Sequence, residues 1–81
     1  ESMNRIVNQD LISAPEIVKR FGVTYQAVNH YTNLGLLEVV AKNGNARMYE
    51  RSQVRFRLAK IAQLVREGYS LRLIRKQLTG M

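Results

Sequence analysis

Eighty-one residues, 46% of them hydrophobic, allow one small domain with a single core, which buries roughly 60% of the surface its unfolded chain exposes. Thirteen Lys and Arg against six Asp and Glu give a net charge of +7 and a pI near 10.4, a balance that favours a polyanionic partner, nucleic acid first. The lack of Cys excludes disulfides and thiolate metal sites, and the apolar runs are too short for a membrane span or a signal sequence, so a cytoplasmic protein is expected.

Residues 1–10 are read as a flexible arm and 11–81 as the domain. A first helix starts at Ser13-Ala-Pro-Glu16, where Ser13 can cap the chain, Glu16 can reach back to it, and Pro15 sits in the first turn where a missing N–H costs little. Ile12 and Ile17 are spaced as a hydrophobic staple, Val18 and Phe21 add to the inward face, and Gly22 ends the helix. Thr24 caps a second helix, whose Val23, Ala27, Val28, Tyr31 and Leu34 make an apolar side. Two short helices across so tight a turn form a helix-turn-helix.

Gly35 closes the second helix. Leu36 to Val40 and Ala46 to Tyr49 then read as two short strands around Lys42-Asn43-Gly44-Asn45, with Asn-Gly as a type I′ turn. A third helix is expected to begin between Glu50 and Ser52, to turn Val54, Leu58, Ile61 and Val65 inward, and to stop at Gly68. Ser70 caps a fourth, with Tyr69 and Ile74 as a second staple and Leu71, Ile74 and Leu78 facing the core. The fold class is therefore mostly α with a small β-hairpin, in the order helix, helix, hairpin, helix, helix, with no internal repeat or linker.

Charge is spread unevenly over this plan. Phe21 to Leu37, FGVTYQAVNHYTNLGLL, contains no Lys, Arg, Asp or Glu, whereas Lys42 to Lys76 holds ten basic residues against Glu50 and Glu67. Any one of those cations could be a solvated helix face, but as a group they have few acidic partners, and a polyanion would relieve their repulsion. Within the uncharged stretch Gln26, Asn29, His30 and Asn33 recur at i, i+3, i+4 and i+7 and form one stripe on the second helix. Asn is a weak helix former, so solubility alone does not account for the stripe. Amides donate and accept together, and Asn or Gln can match adenine N6 and N7 in the major groove. The four are accordingly candidate base contacts, with phosphates left to the neighbouring basic elements.

Phe21-Gly-Val-Thr24, Tyr31 followed by Leu34-Gly-Leu-Leu37, Arg47-Met-Tyr49, and Gly68-Tyr-Ser-Leu71 with Ile74 together resemble the successive signatures of the MerR-type winged-helix DNA-binding domain, over nearly the whole chain from Leu11 to Leu78. The resemblance implies a winged helix-turn-helix with the second helix as recognition helix, the hairpin as wing, and the last two helices as a pair beside it. It implies Thr24 at the start of the recognition helix, Arg47 on the phosphate backbone and Tyr49 as the wing tyrosine; the candidate backbone contacts are Thr24, Tyr25, Lys42, Arg47, Tyr49 and Arg55. Departures limit what carries over. Asn29 and Thr32 stand where many members have Arg and Glu, His30 where Tyr commonly precedes Tyr31, and Ala46 where an aromatic residue precedes the wing arginine. Base preference is therefore not inherited. The family's long dimerising helix and effector domain have no counterpart in these residues, which fits either an N-terminal domain alone or a member that works without them.

No catalytic constellation is visible. His30 is the sole histidine, the carboxylates stand apart without acid-base or metal-ligand spacing, and the glycines end elements rather than cradle a phosphate, so no enzyme activity, no cofactor and no small-molecule site are expected. The sequence thus points to double-stranded DNA as partner and to a bacterial transcription regulator, with an architectural or recombination-accessory DNA-binding protein as the alternative and a protein-interaction module as a third class. The short helices carry no long heptad seam, so the free domain is expected to be a monomer that can assemble on DNA.

Overall fold

The structure is a computed structural model that describes residues 10–80; the arm expected over 1–10 lies outside the described residues except for Asp10. Strand β1 (Leu11–Ser13) leads into helix α1 (Ala14–Phe21) and, after a three-residue turn, helix α2 (Tyr25–Asn33). Strands β2 (Val39–Asn43) and β3 (Ala46–Glu50) form the hairpin, and helices α3 (Arg51–Arg66) and α4 (Leu71–Thr79) complete the chain.

The helix starts follow from local chemistry. Ser13 and Glu16 close a full capping box: Glu16 N–H donates to Ser13 Oγ at 3.3 Å and Ser13 N–H donates to Glu16 Oε1 at 3.1 Å. The N–H from Ser13, aided by the Ser13 hydroxyl and the more distant Arg51 and Arg20, holds the Glu16 carboxyl below its ordinary value. Thr24 and Ser70 cap α2 and α4 in the same way, accepting from Ala27 N–H at 3.0 Å and Leu73 N–H at 3.2 Å. At the far end of α2, Leu36 N–H donates to Tyr31 C=O at 2.8 Å and Gly35 N–H to Thr32 C=O at 3.0 Å, the paired bonds of a Schellman motif. That motif requires the left-handed φ of +82° found at Gly35, which a side chain rarely adopts.

This helix stop divides the core. Ile12, Ala14, Ile17, Val28, Leu37, Tyr49 and Val54 form one buried cluster, and Leu36, Ile61, Leu64 and Ile74 form a second between α3 and α4. Adjacent Leu36 and Leu37 thus face opposite ways, and Tyr31 packs against both clusters. The Arg57 guanidinium donates to Leu36 C=O at 3.0 Å, tying α3 to the same junction. Leu36 and Leu37 were expected to open the first strand, but β2 starts only at Val39, because the junction commits both leucines to packing.

The sheet has three antiparallel strands in the order β1-β3-β2, so the expected hairpin gains a partner in β1. Ile12 pairs with Tyr49, which pairs with Val39, and this row lies against α1 and α2. Asp10 extends the attachment: its carboxylate accepts from Arg51 Nε at 2.7 Å, and its carbonyl accepts from Arg51 N–H at 2.8 Å. The hairpin turn also differs from expectation. Asn43 pairs with Ala46, leaving Gly44-Asn45 as the two-residue loop. Gly44 has φ of +64° and among the described residues no non-glycine residue has positive φ, so a type I′ turn, which needs both central residues there, is not formed. In α3 the inward residues are Val54, Ile61 and Leu64, with Leu58 half-buried, while Val65 is 49% exposed; the helix turns the preceding residue, Leu64, toward α4 instead.

Tyr49 is wholly buried, and its hydroxyl lies 2.8 Å from Thr32 Oγ1. Thr32 spends its one proton on Val28 C=O at 2.7 Å, so the tyrosine is the donor to Thr32. The Tyr49 side chain, expected on the DNA backbone, is instead turned inward here and joins β3 to α2 from inside. Tyr49→Phe should cost about 1–1.5 kcal/mol in urea or thermal unfolding, whereas Tyr49→Ala should cost about 3–5 kcal/mol by opening a cavity. An unchanged midpoint for both would contradict the burial.

Acid should loosen the start of α1. Because the folded-state pKa of Glu16 is depressed, its contribution to stability is present above the ordinary carboxyl value and is lost as pH falls through the lower folded value. An NMR titration of the Glu16 side-chain carbonyl should show a midpoint below the ordinary value, and Ser13→Ala, which removes the hydroxyl but keeps the backbone N–H, should move it only part of the way back up.

Candidate nucleic-acid interface

Helix α2 is built with two unlike sides. Val28 is fully buried, Val23, Tyr31 and Leu34 pack partly into the clusters beneath, and Ala27 is half-buried. Opposite them Gln26, His30 and Asn33 are exposed, with Asn29 half-buried at the edge of the stripe. At the helix start Thr24 and Tyr25 are also exposed, the latter by 51%. The Thr24 oxygen is occupied by the capping bond, but its hydroxyl proton remains available to an acceptor such as phosphate.

The wing presents its cations through a bulge. Val39 pairs with Tyr49 but Ala41 pairs with Met48, so Val40 is the extra residue and the alternation of β2 shifts by one. The shift places Lys42, rather than Ala41, opposite Arg47. Directly opposed like charges are unfavourable in a sheet, so the pair is better suited to a bound anion than to an empty surface. Arg47 lies two residues before Tyr49 and so shares its side of β3, the side that faces α2. Its guanidinium stands 5.9 Å from the Tyr49 ring centroid, and Nη2 donates to Asn29 Oδ1. A residue taken as a base contact and one taken as a phosphate contact are therefore bonded to each other.

Few cations are neutralised internally. Among the described residues Arg51–Asp10 is the single ion pair, and Arg57 is engaged with the Leu36 carbonyl. Lys42, Arg55, Arg72 and Lys76 are exposed with no side-chain hydrogen bond or ion pair among the described residues. Arg55 stands on α3, away from the α2 stripe in sequence. Between α2 and α3 an open groove of about 310 Å³ is lined by Val23, Tyr31, Leu58, Ile61, Ala62, Val65 and Arg66, largely apolar in character. Among the described residues no helix is long and apolar enough to cross a membrane, and no cluster of three metal-ligating side chains forms.

Sequence reasoning found the stripe, the caps and the basic wing. It missed the bulge, the Asn29–Arg47 bond and the Thr32–Tyr49 bond, which join residues 17 or 18 positions apart and leave no local signal.

Comparison with known proteins agrees with this geometry. The family model described as MerR HTH family regulatory protein matches residues 12–80. Nodulation protein NolA of Bradyrhizobium elkanii is 38% identical over 66 residues, which is 80% of this chain and 30% of that protein. The match thus spans less than a third of that protein's length. No solved structure gives a significant match. With its helix-turn-helix, its wing and a match over nearly its whole length, the chain belongs to the MerR HTH family and carries that family's DNA-binding regulatory domain.

Proposed function

We propose that this domain binds duplex DNA sequence-specifically, with α2 in the major groove and the wing along the phosphate backbone, as the DNA-reading part of a bacterial cytoplasmic transcription regulator. The observation that carries the reading is the exposed uncharged stripe of Gln26, His30 and Asn33, with Asn29 beside it, next to a wing whose Lys42 and Arg47 share one face. Neutral groups that donate and accept suit base edges, and cations suit phosphates. Thr24, Tyr25, Lys42 and Arg47 would hold the backbone on either side of the groove, with Arg55 as a more distant phosphate contact. The free domain acts as a monomer, since its longest described helix, α3 at 16 residues, is too short for a seam of three or four heptads.

Selection from random duplexes, followed by affinity measurement on the selected site and a scrambled one, tests this. A specific reader should prefer its site by about 10³ or more. A much smaller ratio with tight binding to both would favour an architectural DNA-binding protein.

Two substitutions should differ in kind. Asn29→Ala should lose about 1–3 kcal/mol on the selected site and little on the scrambled one, whereas Lys42→Ala should weaken both equally and flatten the salt dependence by about one unit of slope. Neutralising about 4–6 phosphates would give a slope of log K against log salt near −4 to −5, and a value shallower than about −2 would make most of the cations bystanders.

A further inference from the structure

Asn29 reaches the groove side of α2 with one half of its amide already engaged. Guanidinium groups only donate, so Arg47 can meet the carbonyl oxygen of Asn29 and not its amino group. The bond therefore fixes which way round the amide stands: Oδ1 toward the wing, Nδ2 away from it. Arg47 is itself held in place, with its guanidinium over the ring of Tyr49, and that ring is wholly buried and hydrogen-bonded to Thr32 on α2. Asn29, Arg47, Tyr49 and Thr32 thus close a loop of contacts that starts and ends on the same helix.

We propose that Arg47 determines specificity by acting through Asn29. Its bond to Oδ1 leaves the Nδ2 amino group as the free half of the amide, so Asn29 selects a base edge made of acceptors. Guanine, with N7 and O6 both accepting, fits that donor. Adenine fits less well, because N7 is its one acceptor there and its N6 amino group repels a donor placed beside it. An unheld asparagine could turn and match adenine with both halves of its amide; the wing removes that choice. Arg47 is a positioning residue in this respect, and its remaining N–H groups stay available for a phosphate. The inference rests on the reading of α2 as the base-reading helix.

The test measures relative affinity for duplexes that differ only by guanine or adenine at each position of the selected site. The proteins compared are the 81-residue domain, Asn29→Ala, Arg47→Met and the double variant, with Arg47→Gln as a second replacement should Arg47→Met fold poorly. Asn29→Ala identifies the position Asn29 reads, where the unmodified domain should favour guanine by about tenfold. Arg47→Met should shift that one ratio toward adenine, and it should change no ratio when Asn29 is already Ala. A phosphate contact alone would lower affinity for every duplex by the same factor and move no ratio. An unchanged ratio in Arg47→Met, or an equal shift in the Asn29→Ala background, would overturn the positioning role while leaving α2 as the reader. If Asn29→Ala changed no ratio anywhere, base reading by Asn29 would be wrong, and this inference would fall with it.

Discussion

Tyr49 fastens the β2–β3 hairpin to α2 from the inside, and the geometry of the proposed DNA-binding surface depends on it. Its ring fills the row between Ile12 and Val39 in the sheet, and its hydroxyl donates to Thr32, which in turn donates to the carbonyl of Val28. A two-stranded hairpin is marginal by itself in water. Here it gains β1 as a third strand and α1 as a packed layer, and its Tyr49 and Arg47 bond to Thr32 and Asn29 of α2, so its orientation relative to α2 is set by those contacts. The cations at its open end are carried by that orientation. Arg47 lies over the Tyr49 ring and Lys42 lies across the ladder from Arg47, so both inherit the position of one buried side chain.

The same arrangement accounts for the division of charge along the chain. A recognition helix crowded with lysine would bind any duplex, since phosphate attraction does not depend on sequence. In the proposed complex a neutral α2 would confine that attraction to the wing and to the helices that follow, and would leave hydrogen-bond direction as what α2 offers to a base. Not every cation serves that purpose. Arg51 is tied to Asp10 and Arg57 to the carbonyl of Leu36, and both hold elements together. The surplus that faces solvent is smaller than the count of lysines and arginines implies.

How much of this was legible in the sequence depended on distance along the chain. Ser13 with Glu16, Thr24 with Ala27 and Ser70 with Leu73 act over three residues, so their residue types and spacing carried the message. The stripe on α2 was legible for the same reason, through the period of the helix. Features made by distant partners were not. Three residues of β1 are too few to show an alternation, and they form a strand only because β3 lies beside them. The bulge at Val40 shifts the face of β2 without any glycine or proline to mark it. Alternation put Tyr49 on the same side as Arg47, but which side met α2 depended on packing, and that decided between a buried anchor and a surface contact. In α3 the expected Val65 gave way to Leu64, because the helix passes from the first cluster to the second and changes the partner it must face.

In the proposed complex α2 reads bases while the wing, anchored by Tyr49, holds the backbone. Intermolecular NOEs in a complex with a selected duplex test it most directly. The account predicts contacts from the side chains of Gln26, His30 and Asn33 to major-groove base protons, and contacts from Lys42 to sugar protons of the flanking backbone, with Tyr49 remaining in contact only with protein. Contacts running from Arg72 and Lys76 to the duplex, with the α2 side chains unperturbed, would contradict it.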